Sequence, residues 1–312
     1  MRVGIITDST CDLSREYLDK HNISILPISI IFNEKTFLDD RNTEATHKFR
    51  KRMEKESLNC ESSPFTKEQI TNLFLEKLVI DYDYIICITV SGTRSLIYEN
   101  ARAASFDILN QYREIRKKAG IRGSFKVVII DSQQLFTGQA AVVAEAAYCL
   151  SRGMSPLEVI EATSNASNFA KTYLVPASLE RLRFQARKKG DRSVSFMSYL
   201  LGSALDIKPI IKSEKGETNP IGKVRGFEAG VEKVFEYACK HISKGLMCDN
   251  LCISYGGNIS EITNFPGYKK LADVAKSKGV IILLSEMSAT AIVNIGPNSL
   301  GVGFVSQHEI LF

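Results

Sequence analysis

An α/β fold, with a mainly parallel sheet in its first half and a mixed sheet in its second, is what this 312-residue sequence predicts. Three observations carry the prediction. Apolar runs of strand length alternate with stretches of helix length through the first half, the pattern of a parallel sheet with helices on its faces. The first run is continuous rather than alternating, as expected of a strand covered on both sides. A short hairpin pattern interrupts the second half, and hairpins join antiparallel strands.

The first strand is expected over residues 3–6, broken only by Gly4, and it runs into Thr7-Asp8-Ser9-Thr10. Asp, Ser and Thr offer caps to a helix starting near residues 13–14. In open parallel sheets, however, ligands sit beyond the carboxyl ends of strands. Further strands are expected over 23–31, 84–90 and 126–130, with helices over 14–20, 46–56, 67–77, 95–112 and 139–151. Two more strands end in polar turns, Ser91-Gly92-Thr93 and Asp131-Ser132-Gln133. Three hydroxyl-rich strand ends favour a site on the rim of the sheet more than one did.

The second half opens on Ser155-Pro156, a helix entry with proline in the first turn. A helix to about residue 171, a strand over 172–176 and a helix over 179–190 closed by Gly190 follow. Residues 206–226 form a hairpin with Lys215-Gly216 at its turn. A helix over 227–242, strands over 250–257 and 279–287, and a Gly-rich turn leading into a last strand complete the chain. The division expected is residues 1–152 and 153–312, two α/β units.

Composition is ordinary for a globular protein, with 44% hydrophobic and 24% charged residues. A net charge of +5 is too weak to indicate nucleic acid, and the basic clusters at 113–122 and 181–192 fit solvated helix faces. The amino terminus enters a strand at once, with no signal-peptide pattern, and no window has the roughly 18–20 apolar residues of a membrane span. Seven scattered cysteines, without a CxxC pair, fit reduced thiols in a cytoplasmic protein rather than a metal site. The GxGxxG fingerprint is missing after the first strand, as are a P-loop and a GxSxG elbow. Nucleotide cofactors therefore have little support, and a catalytic serine is only weakly supported.

Seven stretches in order carry a family resemblance: "ITDSTCDL", "PISIIFNEKTFLDD", "ESSPFTKEQI", "YDYIICITVSGTRSLIYENA", "VIIDSQQLFTGQAAVVAEAA", "LLGSALDIKPIIKSEKGE" with "KVRG", and "GPNSLGVGF". The chain resembles the DegV family over nearly its whole length. The resemblance implies a two-domain fold with an apolar tunnel between the domains, its wall including residues 196–205. It further implies one bound long-chain fatty acid and no cofactor. Its carboxylate would be held by hydroxyls and backbone amides at strand ends and presented to a partner fatty acid kinase, in the bacterial cytoplasm. By this resemblance Ser62, Ser91, the Gly92 amide and Asn294 bind the carboxylate. Thr10, Glu61 and Ser95 lie near it, and Arg187 or Arg192, with Arg225, contacts phosphate or the partner.

The chain departs from the family pattern at defined places. Glu61 and Ser63 replace Thr and Gln in the T-S-Q-P loop, Gly92 replaces the second Ser of the double-Ser turn, and Asn294 replaces His. A carboxylate at Glu61 would repel a bound carboxylate, so either Glu61 points away or Ser62 acts as the donor of that loop. The other functional class is a hydrolase or phosphoryl-transfer enzyme using Asp8, Ser91 and Asp131.

Overall fold

The computed structural model describes residues 1–32, 35–55, 60–188 and 206–310. Residues 192 and 196–205 lie outside these, so the expectations for Arg192 and for that segment of tunnel wall concern undescribed residues.

The first half builds two sheets. Strands β1 (Val3–Asp8), β2 (Ile23–Leu26), β6 (Tyr84–Thr89) and β7 (Lys126–Asp131) form an all-parallel sheet in the order β2-β1-β6-β7. Its two central strands are buried nearly throughout, which explains their unbroken apolar character. The expected single strand over 23–31 is two. Pro27, which has no amide proton to donate, separates β2 from β3 (Ile28–Phe32), and β3 joins a second sheet. That sheet is antiparallel, with β3 between β4 (Lys35–Asp39) and β5 (Cys60–Pro64).

Helix α1 (Arg15–Lys20) lies beside β2, α2 (Thr43–Lys55) packs through Phe49 and Met53 against Ile30 and Phe32 of the antiparallel sheet, and α3 (Lys67–Leu73), α4 (Val79–Asp81), α5 (Ile97–Asp107) and α6 (Tyr112–Lys118) pack around the parallel sheet. The cap of α1 is Ser14, whose hydroxyl accepts from the Tyr17 amide. Thr7 to Thr10 are therefore not its caps. Helix α7 (Phe136–Ser151) is buried on nearly every side. It packs against the strands Ala170–Val175, Asn250–Tyr255 and Leu300–Val305 of a third sheet and also reaches β1 and β6, so Val, Ala and Gly dominate it where a surface helix would carry charge.

After α8 (Pro156–Phe169), strands β8 (Ala170–Val175), β9 (Ile207–Glu214), β10 (Glu217–Arg225), β11 (Asn250–Tyr255), β12 (Ile281–Glu286) and β13 (Leu300–Val305) form a six-stranded sheet ordered β10-β9-β8-β13-β11-β12. It is mixed: β11 and β12 are parallel and the other neighbours antiparallel. The β9–β10 turn is Lys215-Gly216, with φ of 51° and 79°. Positive φ at both central residues matches the right-handed twist of the flanking strands. Helices α9 (Leu179–Lys188), α10 (Phe227–Lys244), α11 (Tyr268–Ser277) and α12 (Ala289–Ile295) complete the described fold. All seven cysteines are buried, and none forms a disulfide among the described residues. No helix among the described residues is long and apolar enough to cross a membrane.

Candidate functional site

The carboxyl ends of β1, β6 and β7 meet at one edge of the parallel sheet, and their polar side chains tie the three ends together. Thr7, Asp8, Ser9 and Thr10 are all buried. Asp8 Oδ2 accepts from the Val90 amide at 2.6 Å, joining β1 to the end of β6. The Ser9 hydroxyl accepts from the Ile28 amide at 3.2 Å, fixing the chain where it leaves β2 for β3. Asp131 at the end of β7 accepts from the Gly92 amide at 3.1 Å and the Gln133 amide at 2.7 Å. Beyond β7, Gln133 and Phe136 hold positive φ of 54° and 46°, a conformation that costs non-glycine residues energy and recurs at functional loops.

These ends line a cavity of about 510 Å³, within the roughly 300–1,000 Å³ of small-molecule sites. Thr10, Gly92, Thr93, Ser95 and Phe136 come from the parallel sheet's edge, and Ile28, Ser62 and Pro64 from the antiparallel sheet. Leu174, Ile211, Thr218 and Pro220 come from the six-stranded sheet, Leu182 and Gln185 from α9, and Thr290, Asn294 and Ile295 from α12. All three sheets therefore contribute to a wall that is mostly apolar with hydroxyl and amide groups set into it. Leu96, 67% exposed, is also part of this wall.

Of the expected carboxylate ligands, Ser62, Gly92 and Asn294 line this cavity, as do Thr10 and Ser95. Ser62 makes no side-chain hydrogen bond among the described residues. The alternation of β5 puts it opposite buried Ile30, while Glu61 pairs with Ile31 on the outer, exposed face. Glu61 thus points away from the cavity. Ser91 does not line it. Its side chain is buried, with Oγ 2.9 Å from Thr93 Oγ1, and the Thr93 hydroxyl donates to the Gly216 carbonyl at 2.6 Å. Ser91 and Thr93 therefore dock the β9–β10 turn onto the end of β6. The Gly92 amide is already donated to Asp131, and one Asn294 amide donor goes to the Thr290 carbonyl at 2.7 Å. Ser95 Oγ accepts from the Ile97 amide at the first residue of α5. Arg187 lies in the last turn of α9. Arg225 is exposed at the far end of β10, five residues beyond Pro220, or roughly 17 Å at strand spacing; it does not line the cavity.

The enzymatic alternative finds no assembled nucleophile. Neither Asp8 nor Asp131 hydrogen-bonds the Ser91 hydroxyl among the described residues, since both carboxylates hold backbone amides on either side of it. No cluster of metal-binding side chains occurs among the described residues.

Sequence reasoning missed Thr93, Arg94, Thr218 and Thr290 as cavity residues. Thr93 belongs to the polar turn singled out after β6, without a role assigned to it there, and Arg94 adjoins that turn. Thr218 and Thr290 reach the cavity only through the folding back of the hairpin and of α12, which no local pattern announces. Behind Thr290 lies a buried charged group. Asp39 accepts from Thr290, and Arg41 Nη2 donates to the Leu13 and Glu286 carbonyls at 2.7 and 2.9 Å. Arg41 Nη1 lies 3.7 Å from Asp12 Oδ1. Burial pushes the carboxyls of Asp12 and Asp39 above their ordinary range, and the Arg41 charge opposes it.

Comparison with known proteins places this architecture. A model of the DegV family matches residues 2–307. A DegV domain-containing protein of Xanthomonas axonopodis pv. citri is 41% identical over 308 residues, 98% of each chain, and one of Xanthomonas campestris pv. campestris is 39% identical over the same share. Among solved structures, a DegV lipid-binding protein of Thermotoga maritima superposes with a TM-score of 0.77 at 21% identity, covering 99% of this chain and 100% of that one. A stearic acid-binding protein of Eubacterium ventriosum gives 0.76 at 21% identity, covering 98% of each. The fold is theirs, and on the family match and the 41% identity the chain belongs to the DegV family.

Proposed function

We propose that this protein binds one long-chain fatty acid in the cavity, at the closing of residues 1–152 against 153–312, and presents its carboxylate to a partner kinase for phosphorylation to an acyl phosphate. The observation that carries the reading is the composition of the wall: aliphatic side chains from three sheets and the Phe136 ring, with hydroxyl and amide groups and one charged residue, Arg94, set among them. Each methylene buried along such a wall contributes about 0.8 kcal/mol. The head group needs donors, because an unpaired buried carboxylate is very costly. Ser62, Thr10 and Asn294 supply hydroxyl and amide donors, with Ser91 and the Gly92 amide behind them. Solved relatives described as binding stearic acid, vaccenic acid and heptadecanoic acid support the ligand class. In this reading the chain is a carrier in the bacterial cytoplasm, needs no cofactor and leaves catalysis to its partner, and Arg225, with Arg187 or Arg192, is proposed to meet phosphate or the partner's acidic surface.

Denaturing the purified protein and analysing the released lipid by mass spectrometry tests the ligand. One fatty acid per chain is the expected result. A protein that releases none, and that takes up no palmitate after delipidation, refutes the reading. The kinase step is tested by adding ATP with and without a candidate partner; acyl phosphate formed by this chain alone would contradict a carrier role.

A further inference from the structure

The contacts around Thr10 contain more oxygen acceptors than protons. Thr10 Oγ1 is within hydrogen-bond distance of both Asp8 Oδ1 and Gln139 Oε1, the latter at 2.7 Å. Both contacts join oxygen to oxygen, and Thr10 has a single hydroxyl proton to place between them. The amide oxygen of Gln139 has none to give. Turning the Gln139 amide over does not repair the deficit. Its nitrogen donates to Thr7 Oγ1 at 3.0 Å and Asp8 Oδ2 at 3.1 Å, so the exchange sets Oε1 against Asp8 Oδ2 and creates a new oxygen–oxygen contact. Either orientation leaves one proton to be found, and Asp8 is the group able to carry it. The observed orientation is the better one, because both hydrogens of the amide then meet oxygens.

The surroundings agree. Asp8 is fully buried and makes no ion pair among the described residues. Its remaining partners are the Val90 and Thr10 amides. The titratable groups in electrostatic reach of it are thiols, Cys87 of β6 and Cys11 of its own loop; Asp12 and Arg41 also act on Cys11 and are not among the influences on Asp8. Burial is also the dominant influence on its acidity and raises its pKa above the ordinary 3.8.

We propose that Asp8 is a neutral carboxylic acid in the native protein, donating to Thr10 Oγ1, and that it acts as a positioning residue for the cavity. With Asp8 as donor, Thr10 keeps its own proton for Gln139 or, on the fatty-acid reading on which this part rests, for the ligand's carboxylate. Were Asp8 ionised, it would hold the Thr10 proton itself, and Thr10 would turn lone pairs toward an incoming carboxylate. A second buried negative charge would then stand one hydroxyl away from the first.

The placement of the proton is read by infrared difference spectroscopy at neutral pH, wild type minus Asp8→Asn. The expected signal is the carbonyl band of a protonated carboxyl; carboxylate bands in its place overturn the proposal. Thr10→Val, which keeps shape but removes the acceptor, provides a second reading, because it should shift that band. Palmitate binding tests the positioning role. Thr10→Val and Asp8→Ala should each weaken it roughly tenfold, the cost of a hydrogen bond to a charged group. Asp8→Asn should recover it relative to Asp8→Ala, since the Asn amide donates to Thr10 without charge. Unaltered affinity in Thr10→Val refutes the positioning role. A wild-type protein that shows the carbonyl band but binds no palmitate refutes the fatty-acid reading and upholds the placement of the proton.

Discussion

Asp39 takes two hydrogen bonds from one residue, Thr290: from its amide at 2.8 Å and from its hydroxyl at 2.7 Å. The carboxylate stands at the end of β4, and Thr290 opens α12, so this pair binds the antiparallel sheet to a helix that walls the cavity. Both side chains are buried. Asp39→Ala leaves the Thr290 hydroxyl and the buried Thr290 and Arg41 amides without their acceptor and should cost about 2–4 kcal/mol in urea denaturation. Thr290→Val removes one neutral donor from the same carboxylate and should cost less, about 1–2 kcal/mol. A similar loss in both variants would show that the amide bond alone does not hold the junction.

The two faces of β5 predict opposite behaviour for neighbouring residues. Ser62 faces the cavity and Glu61 faces outward. Ser62→Ala should weaken palmitate binding by about 1–3 kcal/mol, measured on delipidated protein. Glu61→Gln should leave the affinity and its pH profile unaltered. Tighter binding by Glu61→Gln would mean that the strand turns its other face inward when lipid is bound.

Much of the fold was legible because β1, β6, β7 and α7 are each dictated by a local apolar pattern. The antiparallel sheet was not. β3 continues the apolar run of β2, and only the missing amide proton of Pro27 marks the break. The sequences of β4 and β5, "KTFLD" and "CESSP", are strands because β3 supplies partners on both edges; they carry little strand propensity of their own. The same limit governs the site. Family motifs pointed to Ser62, Gly92 and Asn294, which the fold sets around one cavity. They also pointed to Ser91, whose orientation depends on the Lys215-Gly216 turn more than a hundred residues away, and a turn's docking place is not written in its own sequence.

Close approach between α7 and β13 yields a sharper stability prediction. A Cβ on Gly303 would lie 2.2 Å from the Thr137 carbonyl carbon and 2.4 Å from the Gly138 amide nitrogen. Backbone on the helix cannot rotate aside as a side chain can, so the helix would have to lift from the sheet. Gly303→Ala should therefore cost about 3 kcal/mol or more, at the upper end for overpacked cores, and lower the midpoint of urea unfolding accordingly. A loss under about 1 kcal/mol would mean that α7 is held less firmly against β13 than these distances require.

His241 supplies a prediction in pH. Its ring is buried between Tyr237 and Phe304, with Nδ1 2.9 Å from the Ser306 hydroxyl. Burial, reinforced by the positive charges of Lys171, His308 and Lys212 and opposed by Glu309, lowers its pKa from 6.5 to about 4. The native state therefore keeps the ring neutral where the unfolded chain already protonates it. Below about pH 6.5 the unfolded state binds the extra proton, so stability falls as the pH drops toward 4. The slope from this one group approaches about 1.4 kcal/mol per pH unit at its steepest. Above pH 6.5 the contribution is constant. His241→Gln retains a polar contact for Ser306 but cannot titrate. Urea denaturation of both proteins between pH 7 and pH 4.5 should show the wild type losing stability more steeply, with the difference confined to the acid side of 6.5. Parallel pH profiles would mean that the ring is protonated in the folded protein as readily as in the unfolded chain, and that Ser306 and Glu309 compensate its charge.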